Sequence, residues 1–217
     1  KAKNEEAYAN VFTVHYPDEE REAGRPLRQA PCYDRLKELG AVFGQKFGWE
    51  RPKFFAPKAL NENYGFRRTN VFNIIGEECR AVRESAGIAD LSSFAKYEVR
   101  GPDAQRLLER VCANRLPRRD GDVVLSQMLT RLGGIECEAT VTRFTAEHYY
   151  LLSGAVAELH DFDWLVQHVI PGEDLAITNV TDDYGVLVVA GPKSRDVLSG
   201  LSDTDLTNEG GFTWLRA

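Results

Sequence analysis

The residues best suited to chemistry lie in one stretch, Leu129-Thr130-Arg131-Leu132-Gly133-Gly134-Ile135-Glu136-Cys137-Glu138-Ala139-Thr140-Val141-Thr142-Arg143. A carboxylate, Glu138, sits among short and β-branched residues just after a Gly-Gly pair. Such a group can take a proton from a reacting nitrogen or stabilise positive charge that develops beside it. Glycine pairs between strand-like runs give tight hairpins, because glycine takes positive φ without steric cost. After the turn, alternation puts Glu136, Glu138, Thr140 and Thr142 on one face and Cys137, Ala139, Val141 and Arg143 on the other. By pattern alone, Glu138 either reaches a ligand or faces water.

The surrounding elements must hold that hairpin in place. Residues 123–130 and 135–142 read as its two strands about Gly133-Gly134, and residues 148–153 as the next strand. Upstream, residues 73–85 read as a helix ending before Gly87, 89–94 as a turn and 95–100 as a strand. Gly101-Pro102-Asp103 then breaks the chain, with Asp103 capping a helix over 104–113, and 115–122 is a polar loop. Downstream, 156–169 reads as a helix with Leu159, Phe162, Leu165, Val166 and Val169 on an apolar stripe. Strands over 175–182 and 184–190 follow, then Gly191-Pro192 and a helix over 193–199. The strand, Gly-Pro, helix unit at 97–108 is echoed at 186–198, which predicts an α+β fold with internally duplicated strand–turn–helix units.

Residues 1–65 have a different texture. Tyr16-Pro17, Arg25-Pro26, Ala30-Pro31, Arg51-Pro52 and Ala56-Pro57 punctuate it, with Trp49, Phe54 and Phe55 between them. Only residues 33–47 look helical, with Gly48 as the stop. We read this as a Pro- and aromatic-rich wrapping segment of little regular structure, and place the domain boundary at 65/66.

With 217 residues, 43% apolar and 28% charged, the chain has the composition of a soluble globular protein with a true core. A net charge of −6 argues against non-specific nucleic-acid binding, while leaving room for a local basic pocket. No apolar run approaches the ~20 residues of a membrane span. Cys32, Cys79, Cys112 and Cys137 are too widely spaced for a metal site or a disulfide framework, and predict reduced, mostly buried thiols. His15, His148, His160 and His168 fall singly in different elements and make no metal pair; we expect no metal, and read all four as structural or exposed.

In order along the chain, Gly87-Ile88-Ala89-Asp90-Leu91-Ser92, Val99-Arg100-Gly101-Pro102-Asp103-Ala104, Met128-Leu129-Thr130 before Gly133-Gly134-Ile135, and Leu187-Val188-Val189-Ala190-Gly191-Pro192-Lys193 resemble the folate-binding aminomethyltransferase (glycine-cleavage T-protein) family. Tyr16-Pro17-Asp18-Glu19-Glu20, Gly24-Arg25-Pro26-Leu27-Arg28, Gly40-Ala41-Val42-Phe43-Gly44 and Gly48-Trp49-Glu50-Arg51-Pro52 are similar to the linker of dimethylglycine and sarcosine dehydrogenases. Leu91-Ser92-Ser93-Phe94-Ala95-Lys96 favours that dehydrogenase branch.

The resemblance implies that residues 1–65 are the tail of a flavin oxidoreductase domain. Residues 66–217 become the N-terminal part of a T-protein-like folate domain truncated at its C-terminus, so the chain is expected to be an internal piece of a longer enzyme. It implies FAD in a missing N-terminal domain of the same polypeptide, tetrahydrofolate in this one, and a small N-methyl amine as substrate. An electron-transfer flavoprotein is a possible acceptor. Oxidation of the amine leaves an iminium ion, and tetrahydrofolate takes its carbon as 5,10-methylene-tetrahydrofolate. Glu138 stands where the family usually has aspartate beside the accepting nitrogen, and is the expected catalytic residue. Phe94, Met128, Leu129, Thr130 and Tyr184 are the expected pterin-pocket residues. The implied setting is the bacterial cytoplasm or the mitochondrial matrix. Two other readings stay open: a non-catalytic folate-binding-like module, and a stand-alone aminomethyltransferase of glycine cleavage.

Overall fold

A computed structural model of the chain describes residues 1–56, 60–207 and 212–217. Pro57 of the Ala56-Pro57 punctuation lies outside them. The chain divides into two compact units, one of residues 1–93 with 185–197 and one of residues 94–184 with 198–217.

The first unit contains α1 (Ala2–Ala9), α2 (Tyr33–Glu38), β1 (Ala41–Lys46), β2 (Trp49–Phe55) and α3 (Phe72–Glu84). It also holds β3 (Gly87–Asp90) and its antiparallel partner near the chain end. The wrapping segment is therefore more regular than its proline content suggests. The helix expected over 33–47 stops at Glu38, and residues 41–46 form a strand instead. Gly40 at φ +91° breaks the helix, and Phe47 and Gly48, both left-handed, close a two-residue hairpin onto β2. The pairing that wins is non-local, and helical spacing of apolar residues could not reveal it.

The Gly-Trp-Glu-Arg-Pro motif explains itself here. Trp49 and Glu50 are buried, and the Arg25 guanidinium meets Glu50 through both oxygens, at 2.9 Å from Nε and 2.6 Å from Nη2. Arg28 lies over the Trp49 ring, 4.1 Å from its centroid. One buried bidentate ion pair and one cation–π contact thus tie the 24–28 turn to β2. The boundary expected at 65/66 does not coincide with this division. Helix α3 and strand β3 stay with the first unit, because β3 pairs from Gly87↔Ala190 to Asp90↔Leu187. The turn expected at 89–94 begins with that strand.

The second unit is built on a five-stranded antiparallel sheet. Its strands are β4 (Ala95–Arg100), β5 (Val123–Leu129), β6 (Ile135–Thr145), β7 (His148–Ser153) and β8 (Ala176–Asn179), in the order β5-β6-β7-β4-β8. Two helices, α4 (Ala104–Val111) and α5 (Glu158–Gln167), supply the cover of one face. From α4, Ala104, Leu107, Leu108 and Val111 are buried, and they pack with Tyr97, Val99, Met128, Val141, Tyr149, Leu151 and Leu165. The expected stripe on α5 is only partly used. Leu165 is buried and Phe162 packs on the core, but Leu159 and Val166 are exposed, and Asp161 takes a buried position.

Asp103 precedes α4, yet its carboxylate does not cap the helix amides. It accepts from Asp174 N and from Arg106, and these contacts hold it below the usual carboxylate range. The duplicated units do share a local device. Gly101 and Gly191, at φ +128° and +113°, each lie so close to neighbouring backbone that a Cβ has no room. Strands β4 and β9 (Leu187–Ala190) each lead through such a glycine into a helix, α4 and α6 (Ser194–Ser199). Among the cysteines only Cys112 and Cys137 are buried; Cys32 is half-buried and Cys79 exposed, so the expectation of mostly buried thiols holds for two of the four.

Candidate functional site

The sheet face away from α4 and α5 carries Glu138. Alternation along β6 runs as expected from residue 137 to 141, with Cys137, Ala139 and Val141 buried and Glu138 exposed, while Glu136 falls at a register irregularity opposite Met128 and Leu129. It lapses at Thr142, which is buried beside Val141, just before the register irregularity between Arg143 and Thr145. Glu138 is paired directly with Gln127 on β5, whose side-chain amide donates to Glu138 Oε2 at 2.7 Å. Oε1 has no protein partner among the described residues.

The register places more around it. Ala139, Ser153 and Ala95 form one row across β6, β7 and β4. Gly154 follows Ser153 and Phe94 precedes Ala95, so both lie just past that paired row, at the sheet end that holds Glu138. Gly154 is extended, and a Cβ built there meets nothing within 4 Å. Glu138 with its partner Gln127, side-chain-free Gly154 and half-buried Phe94 thus lie at the same end of β6, β7 and β4. Leu125 and Leu129, both partly exposed, extend the Gln127 side with apolar surface.

The remaining candidates are placed differently. Met128 points to the opposite face, 2% exposed and within the core, where it supports the sheet beneath Gln127 and Leu129. Thr130 closes the hairpin: its N and O bond Gly134 O and Gly133 N, and its Oγ1 accepts from Gly134 N at 3.0 Å. Tyr184 stands edge-on to Tyr150, ring centroids 6.4 Å apart. Tyr150 pairs with Thr142, four residues or ~13 Å along β6 from Glu138. Tyr184 thus marks the far end of the face.

The Phe94 carbonyl is held by Lys96. This wholly buried lysine donates from Nζ to Phe94 O at 2.8 Å and Thr181 O at 2.9 Å, and its backbone N bonds Thr181 Oγ1 at 3.0 Å. One ammonium group thereby fixes both the Phe94 segment and the turn leading to Tyr184. Gln127, Gly154 and Lys96 escaped the sequence reading because their importance lies in cross-strand register. The signal available for Gln127 was its place opposite Glu138 in a hairpin of known turn.

Two concavities of this unit lie away from Glu138. These, of about 540 and 530 Å³, flank the Asn114–Arg118 stretch on the side of α4 and the 215 region. Neither includes Glu138, which is itself exposed. Among the described residues no group of three or more His, Cys, Asp or Glu is placed to hold a metal, and no helix is long and apolar enough to cross a membrane.

A family model for the GCVT N-terminal domain matches residues 32–217, and one for the FAD dependent oxidoreductase central domain matches residues 1–30. The chain belongs to the GCVT family. Human dimethylglycine dehydrogenase, mitochondrial, is 39% identical over 96% of this chain and 24% of its own length. The mouse pyruvate dehydrogenase phosphatase regulatory subunit, mitochondrial, is 32% identical over 91% of this chain and 23% of its own. The chain spans about a quarter of the length of these curated relatives. Among solved structures, the glycine cleavage system aminomethyltransferase T from Bartonella henselae aligns with a TM-score of 0.65 at 23% identity, covering 80% of this chain and 43% of that one. The GCVT fold so identified is the mixed α+β architecture described above. The oxidoreductase match ends at residue 30, ahead of the hairpin β1–β2.

Proposed function

We propose that this chain is the folate-side part of a flavin-linked demethylating dehydrogenase of the dimethylglycine or sarcosine type, and that it receives the oxidised one-carbon unit on tetrahydrofolate. The observation that carries this reading is the exposed Glu138 carboxylate, with one oxygen bonded by Gln127 and the other unpartnered among the described residues, at the sheet end that also holds Gly154 and Phe94. A reduced pterin presents a flat ring with several N–H donors. An acceptor-only carboxylate at a sheet end that also carries an aromatic residue and a glycine suits both features. Tetrahydrofolate supplies the nucleophilic nitrogen that takes the carbon as 5,10-methylene-tetrahydrofolate.

Within this arrangement Glu138 holds the proton released when that nitrogen forms its new bond, and Gln127 orients the carboxylate. Phe94 supplies the ring wall, Leu129 the apolar rim, and Tyr184 the far end of an extended ligand; Met128 and Thr130 set the shape of the β5–β6 hairpin beneath. A positioned base of this kind is typically worth ~10²–10⁴-fold in rate. FAD and the N-methyl amine are assigned to a flavin domain of the longer polypeptide. No residue of this chain is given a flavin contact. A mitochondrial-matrix or bacterial-cytoplasmic setting fits the mitochondrial names of the mammalian relatives.

A second reading, a folate-binding-like module without catalysis, is favoured by one specific finding: a relative of nearly equal coverage is named as a regulatory subunit. Anaerobic calorimetry of the chain with tetrahydrofolate, and separately with dimethylglycine and sarcosine, tests the assignment. Binding of the folate without binding of either amine is the expected outcome; amine binding without folate binding contradicts it.

A further inference from the structure

His160, on the first turns of α5, lies between two carboxylates. Its Nε2 is 2.9 Å from Glu136 Oε1 on β6, and its Nδ1 is 3.0 Å from Asp161 Oδ1 on its own helix. Ionised carboxylates only accept hydrogen bonds, and a neutral imidazole has a single N–H. Both contacts are satisfied together only by the imidazolium. Asp161 is 1% exposed and accepts a second bond from Ser153 Oγ at 2.7 Å. Glu136 is less buried and has no other described hydrogen bond.

The other groups facing this cluster set its electrostatics. Cys137 of β6 has its thiol pushed up to about 12, by burial first and then by Asp161, so it stays neutral. From β4, Tyr97 donates to the Glu158 carbonyl on α5 at 2.7 Å, and its hydroxyl is also pushed upward by burial. From β8, Asn179 donates to Glu158 Oε1 at 3.1 Å. No second cation is described at the cluster, and His160 is the group whose charge changes near neutrality. Hydrogen bonds to Asp161 and then Glu136 raise it above the ordinary histidine value of 6.5.

Glu136 stands two residues before Glu138 on the same strand, at the register irregularity opposite Met128 and Leu129. We infer that His160 is a positioning residue: as an imidazolium it clamps Glu136, and with it the Glu138-bearing end of β6, to α5 through buried Asp161. The inference rests on the folate reading of Glu138. When the imidazole loses a proton, the remaining N–H stays with Asp161, whose burial makes a lost partner costly, and Glu136 is released. The clamp is complete below pH 6.5 and is lost as pH rises through the raised value for His160 in the folded chain.

The test is a pH titration of the 217-residue chain by nuclear magnetic resonance, following the His160 ring and the amides of Cys137 and Glu138. Tetrahydrofolate affinity is measured at each pH. The amides are expected to titrate with the His160 ring, and affinity to fall on the order of 3- to 10-fold across the same midpoint. In His160→Gln both pH dependences vanish while the rest of the spectrum stays native. Glu136→Gln, which leaves α5 untouched, serves the same purpose if His160→Gln does not fold. Amides that titrate unchanged in the variants overturn the clamp, as does an affinity whose pH dependence survives them. If Glu138→Gln leaves affinity unaltered, the folate reading fails separately, and the amide titration alone then decides the clamp.

Discussion

At the scale of single residues, polar groups on or under the open sheet face are held by partners that sequence spacing does not show. Lys96 is the clearest case. Its ammonium is wholly buried and serves two main-chain carbonyls, so Lys96→Met leaves buried acceptors without a donor. At about 1–3 kcal/mol for each, urea unfolding is expected to show a loss of about 2 kcal/mol or more. Tyr97→Phe removes one hydroxyl bond to the Glu158 carbonyl and is expected to cost about 0.5–1.5 kcal/mol in the same measurement. The sequence singled out Glu138 as a candidate, and its exposed place on β6 follows the expected alternation. The partners Gln127 of Glu138 and Glu136 of His160 were not legible. Register and helix docking bring these groups together, and single-chain periodicity carries no such information.

At the scale of elements, the sheet owes its stability to α4 and the hairpin strands. Leu107→Ala, which empties a fully buried position on α4, is expected to cost about 2–5 kcal/mol. Leu159→Ala on α5, a residue assigned to the core by its spacing but exposed in the fold, is expected to stay within about 0.5 kcal/mol of the parent. That contrast measures where the periodic pattern told the truth. On α4 the apolar spacing and the buried face agree. On α5 the buried stripe is shared by Leu165 and the charged Asp161, because Ser153 waits at the end of β7 to bond it. The hairpin about Gly133-Gly134 and strands β4 and β7 were readable from alternation and glycine placement. The β1–β2 hairpin was not, since Leu36, Leu39, Val42 and Phe43 also suit a helix until Gly40 and the left-handed Phe47-Gly48 turn are known.

At the scale of the whole molecule, two units of different texture are present: a hairpin-and-helix unit tied by the buried Arg25–Glu50 pair, and the five-stranded sheet that carries Glu138. Thiol chemistry distinguishes buried from accessible positions across both. Burial pushes Cys112 up to about 11 and Cys137 up to about 12, so an aromatic disulfide reagent is expected to modify Cys79 and Cys32 in the native chain and all four only after unfolding. Rapid native modification of all four contradicts the packing described. The central claim, that the open face around Glu138 receives a reduced folate, is tested most directly by anaerobic calorimetric titration of the chain and its Glu138→Gln variant with tetrahydrofolate. Micromolar binding by the parent, weakened at least tenfold in the variant, is the predicted result. Equal affinity in the two, or no binding by the parent, would contradict it.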